Sequence, residues 1–135
     1  MKVSVILQGK GSGDVATIAP DASVREAVGL MSNLRIGALV VSPGHGEIDG
    51  ILSERDIVSR LGAEGPGILD QPTSELMTED VETCITDDTA IGVLGGMTRG
   101  RFRHLPVVDA GGRMIGILSI GDVVKARLEE MEAEN

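Results

Sequence analysis

The 135-residue sequence contains no Trp and no Tyr, and its single Phe is Phe102. The hydrophobic fraction is nevertheless 41%, so a core has to be built from Val, Ile, Leu, Met and Ala. This much aliphatic side chain can offset the entropy of ordering the chain, which argues against a disordered protein. Aromatic platforms for exposed bases are missing, which argues against the usual mode of single-strand nucleic-acid binding.

Positive charge is also scarce, with 12 Lys and Arg against 21 Asp and Glu and a net charge of −9. A nucleic-acid duplex or an anionic membrane repels such a chain unless its basic residues are segregated. One basic cluster exists: Arg99, Arg101, Arg103 and His104. This cluster is large enough for one phosphate group but too small for a nucleic-acid face. We therefore expect neither nucleic acid nor membrane as a partner.

Cysteine and long apolar runs are nearly absent. The single cysteine, Cys84, excludes an internal disulfide framework and suits a reducing compartment. His45 and His104 are far apart and lack a Cys/His ligand set, so we expect no metal. No apolar run approaches the roughly 20 residues of a membrane helix, and no signal peptide is visible. These absences predict a cytoplasmic protein.

The sequence contains an internal repeat with an offset of 66 residues. Residues 50–58 read GILSERDIV, and residues 116–124 read GILSIGDVV, with six of the nine positions identical. Upstream, Ala-Leu-Val-Val at 38–41 corresponds to Leu-Pro-Val-Val at 105–108 with an offset of 67, because one residue is inserted and later deleted. Two copies, each about half the chain, are too few for a solenoid and predict two units that bury each other's open faces.

Each copy reads as strand, helix, strand, strand, helix, which predicts an α/β (α+β) fold class. In the first copy we predict strands at 15–18, 37–42 and 47–52. We predict helices that begin at Ser23 and Ser53, the second ending near Leu61 because Gly62 stops it. In the second copy we predict strands near 81–85, 105–108 and 114–118, and a last helix from 121 to about 131. The Gly95-Gly96 pair in its first helix is costly for helix stability unless another backbone packs closely there.

The repeat also gives domain limits. Residues 1–14 form an N-terminal segment and connector, 15–61 the first unit, 62–76 a linker, 77–128 the second unit and 129–135 an acidic tail. The glycine-rich run from Gly9 to Gly13 lacks the spacing of a phosphate-binding loop, and we interpret it as a flexible connector.

The motif Gly-hydrophobic-x-Ser-x-x-Asp occurs twice, each time behind the corresponding strand pattern. With these motifs the whole chain resembles a stand-alone tandem pair of cystathionine-β-synthase (CBS) domains without a catalytic domain. The resemblance implies two βαββα units related by a pseudo-twofold axis. It further implies pairing of such modules into homodimers and binding of adenine nucleotides in the clefts between units.

The two Ser-x-x-Asp motifs are Ser53 with Asp56 and Ser119 with Asp122. At a helix start, backbone N–H groups and the helix dipole favour an anion, and the serine hydroxyl can donate to a phosphate oxygen. An Asp one turn later offers two acceptor oxygens for the 2′- and 3′-hydroxyls of a ribose. The alternative is a capping box that serves only the helix itself.

The two predicted sites differ in charge. Arg103 and His104 directly precede a strand of the second copy, at a point where the family holds phosphates with basic residues. The first copy has Ile36 and Gly37 there, although Arg55 can supply charge. The second site is therefore expected to be the better nucleotide site.

The family geometry implies which residues contact the base, because the entry strand of one unit lies over the nucleotide of the other. Val15 then covers the second site, while Thr78 and Val81 cover the first. Ile51 and Ile117 form the floors of the two sites. Since aromatic residues are missing, adenine is expected to lie between aliphatic side chains and to be recognised by backbone amides.

These observations predict a non-enzymatic regulatory module that senses AMP, ADP or ATP and acts on an unidentified enzyme or transporter. No obligatory cofactor is expected, because the adenine nucleotide is a regulatory ligand. One alternative is another adenosyl ligand, S-adenosylmethionine or NAD(H). The other is a constitutive dimerisation or docking protein in which both motifs are only caps.

Overall fold

The computed structural model describes residues 1–10 and 16–133. Its elements follow the chain as α1 (Val3–Gly9), β1 (Thr17–Ile18), α2 (Val24–Leu34), β2 (Ala38–Val41), β3 (Gly50–Ser53), α3 (Glu54–Glu64), a 3₁₀ helix (Pro66–Asp70), α4 (Thr73–Leu76), α5 (Ala90–Gly100), β4 (His104–Val108), β5 (Met114–Ser119) and α6 (Ile120–Ala133). The chain folds as two compact bodies. We call residues 16–81 the first body, and residues 1–10 with 82–133 the second body.

The first body is built on a three-stranded sheet in the order β1-β2-β3. The β1 strand pairs in parallel with β2, and β3 pairs with β2 in antiparallel orientation. Every residue of β2 is buried, as expected for a central strand rich in Val and Leu. The core formed with α2, α3 and the segment 68–77 is entirely aliphatic apart from methionine.

The second body is built on the antiparallel pair β4 and β5, in which His104 lies opposite Ser119. Helices α5 and α6 pack together beside this pair, and α1 joins the same core through Val3 and Ile6. The only aromatic residue, Phe102, is partly buried against this core. The N-terminal segment therefore packs on the C-terminal repeat copy.

The 62–76 linker is mostly helical, because it contains the 3₁₀ helix and α4. Its chain is held to the first body by Thr73, which is fully buried and donates its hydroxyl to the carbonyl of Ala19 at 2.7 Å. Helix α3 does not stop at Gly62; it continues to Glu64 and ends at Gly65, whose φ of +85° suits glycine.

Our prediction of a strand near 81–85 is wrong. In this segment only Cys84 pairs, as an isolated parallel bridge to Val107. The neighbouring N–H of Ile85 donates to the Asp88 carboxylate at 2.9 Å, and the N–H of Val81 donates to Glu79. Local turn acceptors thus take the donors that a longer strand needs.

Within the described residues, no other backbone lies where a Cβ would stand at Gly95 or Gly96. A Cβ at Gly96 would meet nothing within 4 Å, and one at Gly95 would meet only the flexible end of Arg99. Helix α5 therefore contains this pair without a packing requirement at Gly96.

None of the helices in the described part of the chain has the length and apolar character of a membrane span.

Candidate functional site

The first Ser-x-x-Asp motif forms a complete capping box where β3 ends and α3 begins. The hydroxyl of Ser53 accepts from the N–H of Asp56 at 3.2 Å, and Asp56 Oδ2 accepts from the N–H of Ser53 at 2.9 Å. Asp56 Oδ2 also accepts from the Ser53 hydroxyl at 3.0 Å. Within residues 16–81, these bonds leave Oδ1 of Asp56 without a donor.

The second motif repeats this geometry where β5 ends and α6 begins. The hydroxyl of Ser119 accepts from the N–H of Asp122 at 3.2 Å, and Asp122 Oδ2 accepts from the N–H of Ser119 at 2.8 Å. Both motifs therefore form capping boxes, as the alternative interpretation predicted. This geometry also means that each carboxylate is held through its Oδ2, and that Oδ1 takes no part in the box.

The first backbone donor of each following helix is already used. The N–H of Glu54 donates to the carbonyl of Gly37 at 2.9 Å, and the N–H of Ile120 donates to the carbonyl of Arg103 at 2.8 Å. These bonds, together with the caps, occupy most of the donors that a helix N-terminus usually offers to an anion. An anion at either site therefore depends more on cationic side chains than we expected from the sequence.

The structure brings Thr78 and Ile51 together. Their backbones exchange two hydrogen bonds, with N···O distances of 3.0 and 2.8 Å, so the chain after α4 lies along β3. Gly50 permits this approach, because a Cβ there would lie 2.7 Å from both the Met77 sulfur and the Thr78 carbonyl. Thr78 thus lies next to Ile51, and Val81 follows it, half-buried.

The second body covers β5 in a similar way with the end of α1. A Cβ at Gly116 would lie 2.7 Å from Cδ2 of Leu7. Lys10, at the end of the same helix, donates through Nζ to the Ile117 carbonyl and to Asp122 Oδ2, both at 2.8 Å. Ile117 and Asp122 therefore share a cation that the sequence interpretation did not assign to the site.

Lys10 was not predicted as a site residue, because residues 9–13 were interpreted as a flexible connector. The repeat offset of 66 places Lys10 at the position of Leu76, which is buried in the first body. The sequence signal that points to Lys10 is its charge, because the corresponding residue of the other repeat copy, Leu76, is apolar.

The pKa of the Asp122 carboxyl lies below its usual value. Burial by itself raises this pKa, but the hydrogen bonds from Lys10 and Ser119 and the positive charge of Lys10 more than offset it. Asp122 is therefore charged over the whole neutral pH range.

The remaining predicted site residues lie around these two junctions. Arg103 is exposed, and its own carbonyl receives the first N–H of α6, so it directly adjoins the Ser119 box. His104 is half-buried and lies opposite Ser119 in the β4–β5 register. Arg55 is exposed in the first turn of α3. Val15 lies outside the described residues.

Other reactive groups do not form a site. Burial, helped by the charge of Asp88, raises the pKa of the Cys84 thiol to about 12, so this thiol is inert at neutral pH. In the part of the chain that the structure describes, no three His, Cys, Asp or Glu side chains are placed to hold a metal ion.

Comparison with known proteins shows which family the repeat belongs to. The family model of the CBS domain matches residues 12–63 and again residues 74–129. The chain belongs to the CBS domain family. Its two CBS domains account for nearly the whole sequence, and its mixed α/β fold is that of CBS-pair structures.

Among solved structures, a CBS-domain containing protein from Agrobacterium tumefaciens is 44% identical, with a TM-score of 0.89 over 94% of this chain and 99% of that one. The CBS domain-containing protein CBSX3, mitochondrial, of Arabidopsis thaliana is 33% identical, over 98% of this chain and 67% of its own length. The chain spans about a quarter of the length of two longer Arabidopsis CBS proteins that it also matches.

Two further structures contain ligands. A CBS domain pair in complex with 5′-methylthioadenosine and S-adenosyl-L-methionine is 25% identical, with a TM-score of 0.83 over 96% of this chain and 98% of that one. A CBS domain protein from Pyrobaculum aerophilum, complexed with AMP, is 24% identical with a TM-score of 0.79, over 90% of this chain and 89% of that one. The second likeness shows the fold alone.

Proposed function

We propose that this CBS pair is a non-enzymatic regulatory module that binds adenine nucleotides, AMP, ADP or ATP, and acts on a partner protein. The observation that carries the proposal is the duplicated junction in which a serine fixes an aspartate by its Oδ2. The caps use Oδ2 at both Asp56 and Asp122, so the other carboxylate oxygen takes no part in them. A fixed, charged acceptor is what a ribose hydroxyl requires.

The preference for a phosphorylated ligand is supported by the basic residues of the second body, of which Arg103 and Lys10 are cations. Arg103, His104 and Lys10 all adjoin the junction that contains Ser119 and Asp122. The first body has Ile36 and Gly37 where the second has Arg103 and His104; its nearby cations are Arg55, in the first turn of α3, and Arg35, which lines a cavity with Gly37 and Glu54. We therefore assign the stronger nucleotide site to the second body, with Ile117 beside the ligand. Ser53, Asp56, Ile51, Thr78 and Val81 form the weaker site.

The adenosyl class is supported by the complexes described above, which contain AMP in one protein and S-adenosylmethionine in the other. Between these, the cations favour the phosphate over the positively charged sulfonium. S-adenosylmethionine and NAD(H) remain the alternative ligands.

The regulatory role requires a partner that distinguishes the bound protein from the free one. A second copy of the chain is part of the proposal, because α2 and α3 of the first body expose Val28, Val58 and Leu61. Exposed apolar side chains on neighbouring helices favour association. An enzyme or transporter is the further partner that we propose.

A thermal-shift panel tests the function. The purified protein is heated with AMP, ADP, ATP, S-adenosylmethionine, NADH and, as a control, inorganic phosphate. A ligand at 100 times its dissociation constant stabilises the folded state by about 2.7 kcal/mol. We expect this shift with at least one adenine nucleotide and none with phosphate. No shift with any adenine compound would favour the docking protein, in which the two boxes are only caps.

A further inference from the structure

The ammonium of Lys10 occupies the acceptors of the second body's site. Its Nζ donates to Asp122 Oδ2 and to the Ile117 carbonyl, at 2.8 Å each, across more than 100 residues of sequence. Asp122 Oδ2 also accepts from the N–H of Ser119, so both lone pairs of this oxygen are used. A diol that bridges both carboxylate oxygens therefore has to displace Lys10.

We propose that Lys10 is the residue that makes this site select phosphorylated adenosine over uncharged adenosine. The proposal rests on the proposed function, since it concerns the ligand of the same site. Lys10 weakens binding of an uncharged nucleoside, because a hydroxyl competes with a charge-assisted bond for Asp122. It favours a nucleotide, because the displaced ammonium stays tethered at the site and pairs with the phosphate.

The first body supplies the comparison. Leu76 stands at the repeat position of Lys10, and within residues 16–81 the carboxylate of Asp56 hydrogen-bonds only with Ser53. The Ile51 carbonyl, which corresponds to that of Ile117, accepts from the backbone of Thr78. A tethered cation is therefore a property of the second body and not of the repeat.

A purely structural role for Lys10 has a different consequence. The side chains of Lys10 and Asp122 are 34% and 25% exposed, so solvent screens their ion pair and its contribution to stability is small. If the pair only fastened α1 to α6, its loss would lower the melting temperature and leave the choice of ligand unchanged.

The test measures the ratio of the adenosine dissociation constant to the AMP dissociation constant by calorimetry. All variants carry Asp56→Asn, so that binding reports on the second body. We expect Lys10→Met to lower this ratio about fivefold, the equivalent of losing one partly exposed ion pair. Lys10→Arg keeps the charge and should keep the ratio.

Lys2→Met is the matched control. Lys2 precedes the same helix and pairs with Asp87 on the surface, so this variant removes one positive charge without touching Asp122. An unchanged ratio in Lys10→Met overturns the inference but leaves the proposed function intact. An equal change in Lys2→Met also overturns it, because the effect is then one of net charge. If the starting protein binds neither AMP nor adenosine, the proposed function fails and the inference with it.

Should Lys10→Met fail to fold by circular dichroism, labelled Lys10 in the unmutated chain gives the same answer. We expect its ε-methylene signal to respond to AMP differently from adenosine, and identical responses overturn the inference.

Discussion

The side chain of Leu7 lies so close to Gly116 that a Cβ at that glycine would be 2.7 Å from Leu7 Cδ2. The corresponding glycine of the first body, Gly50, is covered by Met77 and Thr78 at the same distance. Each repeat copy therefore has a segment lying on the strand that leads into its Ser-x-x-Asp box. The backbone carbonyl of Thr78 requires glycine at position 50, whereas at position 116 the close neighbour is the flexible side chain of Leu7.

Alanine at Gly50 is expected to destabilise the protein more than alanine at Gly116. At Gly50 the clash includes a backbone carbonyl, which cannot move aside, whereas at Gly116 a leucine side chain can shift. Overpacking of this kind costs about 1–3 kcal/mol. Urea unfolding of both variants measures it, and equal stability of Gly50→Ala and the unmutated chain would contradict the close approach.

Gly96→Ala is expected to stabilise the protein. The residue lies within α5, and an added Cβ meets nothing within 4 Å, so the substitution gains the helix propensity of alanine. The expected gain is about 1 kcal/mol in the free energy of unfolding. Urea unfolding checks this, and a loss of stability would show that the α5 backbone has a close neighbour.

Removal of the Lys10 cation is expected to raise the pKa of Asp122. Burial raises this pKa, whereas hydrogen bonds from Lys10 and Ser119 and the charge of Lys10 lower it, so Lys10→Met leaves burial opposed by Ser119 alone. Carboxyl ¹³C NMR titration of both proteins measures the change. An identical Asp122 pKa in the two proteins would contradict the 2.8 Å contact.

The lowered pKa of Asp122 determines how the free energy of unfolding changes with pH. In the unmutated chain the charged Asp122 stabilises the folded state above its unfolded pKa of about 3.8, and this stabilisation is lost as the pH falls through the folded value. The difference in stability between the unmutated chain and Lys10→Met should therefore shrink in strongly acidic solution. A difference that grows on acidification would contradict this linkage.

The repeat predicted the two junctions because their signals are local. Ser53 and Ser119 each cap a helix with a residue three positions later, and strand and helix patterns adjoin them. The motif spacing was therefore enough to locate the fixed carboxylates, although not to show that the caps use most of the nearby backbone donors.

Lys10 could not be predicted in the same way, because its partners lie more than 100 residues away. Its position depends on α1 packing against α6 and β5, a tertiary contact without a local pattern. The prediction of a strand near 81–85 was wrong for a related reason. The Asp88 carboxylate accepts from the Ile85 N–H, and the sequence pattern does not reveal such competition for backbone donors.

The most direct measurement is the affinity of the protein for AMP before and after Asp122→Asn. The amide can still accept from Ser119 and so keeps the cap, but the substitution removes the charge that we propose as the acceptor of a ribose hydroxyl. Hydrogen bonds to a charged group contribute about 1.5–3 kcal/mol, so the substitution should weaken AMP binding about tenfold to a hundredfold.

Thr89→Ala is the matched control, because it removes the cap of α5 in the same body without touching the junction. It should lower stability and leave the AMP affinity unchanged. Calorimetry should therefore show a weakened AMP complex in Asp122→Asn alone. Unchanged AMP affinity in Asp122→Asn would show that this carboxylate only caps α6, and would contradict the assignment of the nucleotide site.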